Sequence, residues 1–295
     1  MVEDKQDKLT IEKNSSSKWK PLIYALYLLG FVGGAIANPE ALSIFVFGVV
    51  VMIPLEYFFK RHDVPIWRPS MIADALHVMV TPLLSFIPLI ALFGLLEPFK
   101  ITWIADAITT QPHWLQIIEV LLIQDFLTYW AHRWLHTPLL WPIHAIHHSS
   151  PQLDWLAGER THPLDMAFNA VIITVPLALT GFDLVDLLWV GLFLEVWDRT
   201  IHANLNWRLW FLRYIWVTPE YHHWHHVDRP EVYNKNLAGL FPIWDILFGT
   251  YHMPHDQHPN TYGIPGGISE DYLGQLIYPF QKKSAPKKEE NNKEE

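Results

Sequence analysis

Residues 218–226 read Thr218–Pro219–Glu220–Tyr221–His222–His223–Trp224–His225–His226. Threonine followed by proline starts a helix. The hydroxyl accepts from an otherwise orphaned backbone N–H, and proline occupies the first turn, where its missing N–H costs nothing. On that helix His222, His225 and His226 stand at i, i+3 and i+4 and share one face. His223 projects about 100° away from His222 and is set apart as a surface or supporting histidine. The same pattern occurs upstream in Trp141–Pro142–Ile143–His144–Ala145–Ile146–His147–His148, where His144, His147 and His148 share a face. A third cluster pairs His132 with His136 one turn apart. Asp125 and Tyr129 continue its stripe, and a carboxylate there is placed to orient an imidazole. His202 is single, but it closes the last apolar segment of the chain.

Together these give nine candidate metal ligands: His132, His136, His144, His147, His148, His202, His222, His225 and His226. Imidazole suits iron, copper, zinc or nickel. A structural zinc needs only about four ligands, so nine point to two ions with positions left open. The chain has no cysteine, which excludes disulfides, thiolate-ligated haem and cysteine-ligated iron–sulfur clusters.

Outward from the histidines the chain is apolar. Of 295 residues 51% are hydrophobic and 17% charged, below the roughly 25% charged of a soluble domain. Apolar segments run over 21–38, 41–59, 72–96 and 113–131, each near the ~20 residues that span a bilayer. Two shorter runs, 166–180 and 184–197, are joined by Gly181–Phe182–Asp183 and fit a tilted hairpin or a buried pair. The expected fold is an all-α integral membrane protein with four to six membrane helices and a helical cap that holds the histidines. Residues 21–280 form one domain between polar tails at 1–20 and 281–295. Lys18 and Lys20 precede the first segment, and Lys60, Arg61 and Arg68 follow the second. The positive-inside rule puts both regions in the cytoplasm, and the alternation then delivers every histidine cluster to that same side. The N-terminus lacks the apolar core of a secretory signal. The net charge of −9 comes with no basic stripe, which argues against a nucleic-acid partner.

The motifs HRWLH (132–136), HAIHH (144–148), IHAN (201–204), HHWHH (222–226) and NLAGLFPIWDILFGTY (236–251) resemble the fatty acid hydroxylase/sterol desaturase superfamily. The resemblance covers roughly residues 125–251. It implies two non-haem irons held by the nine histidines on the cytosolic side, with O2 as co-substrate. It also implies hydroxylation or desaturation of a lipid such as a sterol, fatty acyl chain or ether lipid. Asp125, Tyr129, Arg133, Asp228 and Asn236 carry over as orienting groups around the ligands. Asp198, one turn before His202, leaves a tenth ligand open, and His162 is expected to be structural.

Oxidation of a saturated C–H bond lies beyond side-chain acids and bases, so a metal and O2 must supply it while the protein positions and polarises. Electrons must come from outside, from a cytochrome b5-like protein, ferredoxin or reductase, because no dinucleotide-binding fingerprint follows a strand. Arg208 and Arg213 are candidate docking cations. Two alternatives stay open. A membrane metal transporter would place ionisable groups near mid-span, where Asp74, His77 and Glu119 are the exceptions to an otherwise apolar pattern. A zinc hydrolase would need a positioned glutamate, as in HExxH, and zinc remains a possible occupant of the histidines.

Overall fold

A computed structural model describes residues 21–85, 95, 97–182 and 184–281. The tails expected at 1–20 and 281–295 lie outside the described residues, apart from Gln281, as does part of the third apolar segment. Among the described residues the fold is helical, with two isolated β-bridges and no strand.

The helices that matter for the site are α1 (Pro21–Ala37), α2 (Pro39–Phe59), α3 (Met71–Met79), α4 (Thr102–Thr109), α5 (His113–Leu135), α6 (Trp141–His144), α7 (Pro163–Thr180), α8 (Leu184–His202), α9 (Pro219–His225), α10 (Ile243–Phe248) and α11 (Tyr272–Ile277). Two of them, α2 and α7, are long and apolar enough to cross a membrane, with mean hydropathies of 2.2 and 1.5. Their apolar side chains face outward: only 17% and 11% of these windows is buried against the protein. A soluble core helix would be mostly covered, so these exposed apolar faces are of the kind that meets a membrane. The outward faces of α1 (Leu28, Leu29, Ile36) and α5 (Trp114, Ile118, Leu122) continue that surface.

Both of these helices carry the same irregularity, and the sequence explains it. Proline cannot donate to the carbonyl four residues back, and its ring crowds that carbonyl. Pro54 faces Val50 in this way and Pro176 faces Ile172. In each case the i−4 residue lies inside a π-turn, Gly48–Met52 in α2 and Ala170–Thr174 in α7. The wider turn accommodates the proline without breaking the helix. In α2 it begins at Gly48, where an added Cβ would lie 2.0 Å from the buried Trp155 ring.

The loops around the histidines are pinned by buried charge. Glu56, near the end of α2, accepts from the backbone N–H groups of Trp155 and Asn204, both at 2.8 Å. Asp74 of α3 is fully buried and takes Arg160 at 2.6 Å as well as Arg68, which also binds Asp154. His77 lies between Thr81, the Thr161 carbonyl and Gln275. The polar groups that interrupt the apolar pattern here therefore tie α3 to the loop 149–161 and to α11.

A candidate metal centre built from four helices

α5 delivers His132 and His136 from its last turn, α6 and the 3-10 turn His147–Ser149 deliver His144, His147 and His148, and α9 delivers His222, His225 and His226. His202 is the last residue of α8. The start of α9 is as expected, with Thr218 Oγ accepting from Tyr221 N. The HAIHH stretch departs from one continuous helix: a four-residue α-turn passes into a 3-10 turn. That break turns His147 away from His144 and His148.

All nine histidines converge, and they divide into two groups. His132, His136, His144, His148 and His225 form one. His147, His202, His222 and His226 form the other. Within each group one ring nitrogen per residue lies within 4.8 Å of every other. Both HxxHH motifs are split: His144 and His148 go to the first group and His147 to the second, while His225 goes to the first and His222 and His226 to the second.

The protons on the rings are set from outside. The Nδ1 atom of His132 bonds to the Leu237 carbonyl at 2.8 Å, that of His202 to Asp198 O at 2.7 Å, and that of His225 to Lys235 O at 2.8 Å. His147 Nδ1 reaches Arg160 O at 3.2 Å, and His144 Nδ1 reaches the Asp165 carboxylate at 2.7 Å. Carbonyls and carboxylates only accept, so these Nδ1 atoms carry the hydrogens and Nε2 keeps its lone pair. Those lone pairs then face one another: His202 Nε2 lies 3.1 Å from His147 Nε2 and 2.8 Å from His222 Nε2, and His225 Nε2 lies 3.1 Å from His148 Nε2. The Nε2 atoms of His132, His136 and His144 are buried with no hydrogen-bond partner. Such an arrangement is repulsive unless a cation sits among the nitrogens. Two nitrogens bound at right angles to one ion at about 2.1 Å lie about 3 Å apart, which is the spacing seen. The donor set fits a pair of transition-metal ions.

Burial lowers the pKa of His136, His144, His147, His148, His222, His225 and His226 well below 6.5, and neighbouring imidazoles push in the same direction. At neutral pH these rings are unprotonated and competent to bind metal.

The expected supporting residues are placed differently from one another. Asp125 touches no histidine. It accepts from Leu240 N, Phe241 N and the Trp244 indole, at 2.8, 2.9 and 2.8 Å, and so anchors the strap 236–250 to α5. Tyr129 hydroxyl meets Thr250 and Arg133, away from the rings. Asn236 holds the strap in register: its side chain donates to Tyr221 O and His252 O and accepts from His252 N. It adopts φ 55, a left-handed conformation that asparagine tolerates better than most residues. Asp228 bonds to Tyr233 and stands outside both groups. His223, expected on the surface or in support, is fully buried between Tyr262 and Ala203 O. His162 is structural, accepting from Leu164 N at the start of α7. Asp198 reaches His202 through its backbone and belongs to neither group.

Two carboxylates escaped the sequence. Asp165 orients His144. Asp245 accepts from Leu237 N, Ala238 N, Tyr221 Oη and Thr250 Oγ, and this fixes the carbonyl that orients His132. Both lie in apolar runs where a lone acid gives no spacing signal, although the Asp165–Asn169 pair at i,i+4 could have flagged one of them.

A cavity of about 920 Å³ opens onto His132, His144, His147, His202 and His222. Its far wall is apolar, with Ile173, Leu177, Leu187 and Leu192 of α7 and α8, while Gln124, Thr128 and Asn169 give it a polar band nearer the histidines.

Among the described residues the fold is helical, with outward apolar faces and two imidazole clusters that could hold metal at the end of a largely apolar cavity, and it belongs to the class of helical proteins with histidine-rich candidate metal centres. The fatty acid hydroxylase family model matches residues 117–250. Ornithine lipid hydroxylase OlsE of Rhizobium tropici is 30% identical over 242 residues, 79% of this chain and 71% of that protein. The chain belongs to the fatty acid hydroxylase family and is an oxidoreductase. It is 32% identical over 170 residues to alkylglycerol monooxygenase of Danio rerio, covering 36% of that protein. It is 32% identical over 142 residues to methylsterol monooxygenase 2-2 of Arabidopsis thaliana, covering 52% of that protein. No solved structure matches.

Proposed function

We propose that the protein is a multi-pass membrane enzyme that uses O2 and two irons, held by the nine histidines on the cytoplasmic side, to oxidise an unactivated C–H bond of a lipid. The observation that carries this is the division of the nine histidines into two groups at the inner end of an apolar cavity. The irons, when bound, supply the O2-dependent C–H oxidation that no side chain can perform. His132, His136, His144, His148 and His225 hold one, and His147, His202, His222 and His226 the other. Relatives named for ornithine lipid, alkylglycerol and methylsterol share a substrate type, an apolar body with a polar end. The cavity suits that shape. Ile173, Leu177, Leu187 and Leu192 seat the hydrocarbon and exclude water, and Gln124, Thr128 and Asn169 hydrogen-bond polar atoms that approach the histidines. The Nδ1 partners fix each ring before substrate arrives, so no reorganisation is needed at the reacting carbon. Reducing equivalents come from a separate electron-transfer protein. Helices α1, α2, α5, α7 and α8 belong to the set of four to six spans.

The test is incubation of the iron-loaded protein, reconstituted in bilayers, with a membrane lipid extract, a chemical reductant and 18O2, followed by lipid mass spectrometry. A lipid that gains one 18O atom establishes hydroxylation. A lipid that loses two hydrogens without label establishes desaturation. Iron-loaded protein that does neither, with hydrolysed lipid accumulating on zinc loading instead, would overturn the proposal.

A further inference from the structure

Residues 207–216 are held at the end of a membrane helix. Asn206 N donates to Phe59 O at 2.8 Å, Lys60 and Leu205 form a β-bridge, and the Trp207 ring meets Phe59 edge-on at 6.3 Å. Phe59 is the last residue of α2, so the segment starts where that span ends. Its other end, Trp216, lies against Trp197 and Phe193 on the outer side of α8, at 5.5 and 6.1 Å. Both ends therefore sit at the limit of apolar helices. Between them Trp210, Phe211, Tyr214 and Ile215 point outward, with Trp210 75% exposed. Aromatic side chains stranded at this level match the boundary zone of a bilayer.

Two cations stand among these rings. Arg213 donates to Met253 O at 2.6 Å and to Tyr251 Oη at 3.2 Å, with the His255 ring at 3.3 Å. Among the described residues it meets no carboxylate. Arg208 is 47% exposed and meets Glu220 through Nε alone, at 3.3 Å. Glu220 is shared with His258 and, at 4.0 Å, with the buried Arg61, so it does not cancel the pair of arginines. Between Arg208, Arg213, Trp210 and His255, with Glu220 also in its wall, there is a pocket of about 260 Å³. Guanidinium groups with unused donors beside an aromatic wall favour a phosphate oxyanion whose ester tail runs into the apolar layer.

We infer that this pocket binds the headgroup phosphate of an anionic phospholipid and that residues 207–216 form an interfacial anchor beside the metal-centre cap. The inference rests on the membrane-embedded part of the proposed function but not on the chemistry of the site.

The full-length protein in a neutral detergent is offered equal amounts of phosphatidylglycerol and phosphatidylcholine, and the lipids it retains are read by native mass spectrometry. Wild type retains phosphatidylglycerol in excess. Arg208→Gln lowers that excess about five-fold, the effect of one arginine near an anionic surface, with an unchanged melting temperature because Arg208 is a half-exposed side chain. Trp210→Gln lowers retention of both lipids. Equal retention of the two lipids by wild type, or an unaltered excess in Arg208→Gln, overturns the inference. So does displacement of phosphatidylglycerol by excess inorganic phosphate, which would make the pocket a free-phosphate site. Loss of an acidic electron-transfer protein's binding in Arg208→Gln with lipid retention intact would likewise overturn it and assign the arginines to that partner. A chain that stays in solution without detergent refutes the membrane embedding itself, whereas a detergent-requiring chain with no lipid preference refutes only the headgroup site.

Discussion

Asp165→Asn isolates the part of the centre that the sequence did not announce. Asp165 takes the Nδ1–H of His144 at 2.7 Å on one oxygen and the Asn169 amide at 2.7 Å on the other. An asparagine there keeps one acceptor and gains a donor. If its oxygen faces His144, its NH2 meets the NH2 of Asn169, and Asn169 must turn over to present its own oxygen. The geometry survives, but the negative charge that raises the basicity of His144 does not. Losing such a partner typically lowers metal affinity 10–100-fold, about 1.4–2.8 kcal/mol. Because His144 belongs to the five-histidine group, only that group is weakened. Competition with a chelator under anaerobic conditions is expected to show one ferrous ion bound as in wild type and one released 10–100-fold more readily. The melting temperature of the metal-free protein serves as the control for folding. Equal affinity at both sites, or equal weakening of both, would refute the role assigned to Asp165.

Three more perturbations bear on the same centre. Gly158→Ala places a methyl 2.6 Å from Cβ and Cγ of His202. The overpacking costs about 1–3 kcal/mol, and metal analysis is expected to show loss from the four-histidine group first. Asp245→Ala strands the Leu237 and Ala238 amides and the Tyr221 hydroxyl. Denaturation should register a loss of about 3 kcal/mol or more; a near-neutral result would mean the strap is held elsewhere. The seven buried histidines of the two groups that lie outside the proposed spans, and the buried His223 beside them, have folded pKa values below the unfolded 6.5. Between the two values only the unfolded chain takes up protons, so the metal-free protein keeps its full stability above pH 6.5 and loses it as pH falls below. A flat denaturation midpoint from pH 7 to 5 would contradict that burial.

The histidines were legible because helical spacing forces them onto shared faces before any tertiary contact is known. Thr218 and Pro219 announced α9, and the lone His202 was placed by its position at the end of an apolar run. Periodicity could not disclose the partition into two groups, because the break between α6 and the turn at His147 is a tertiary choice, and it sends neighbouring residues to different groups. The orienting groups were read less well. Sequence spacing suggested Asp125 for an imidazole. In the fold it serves the backbone of the strap, and most Nδ1 partners are main-chain carbonyls, which every residue has and no pattern reveals. Among the described residues the apolar runs became helices as expected. Length and composition single out α2 and α7 as spans, while α5 and α8 owe part of their composition to the cavity and the histidines they carry.

The splitting of both HxxHH motifs has a bearing on how such a centre can be lost or acquired. Five residues of α6 and its following turn, and five of α9, each serve both histidine groups. Deleting or mistranslating either short segment damages both groups at once, whereas loss of His132 and His136 touches only the five-histidine group and loss of His202 only the four-histidine group. Erosion of either HxxHH motif therefore leaves neither group whole. At these two motifs the two groups are inherited together, because one short segment carries ligands of both.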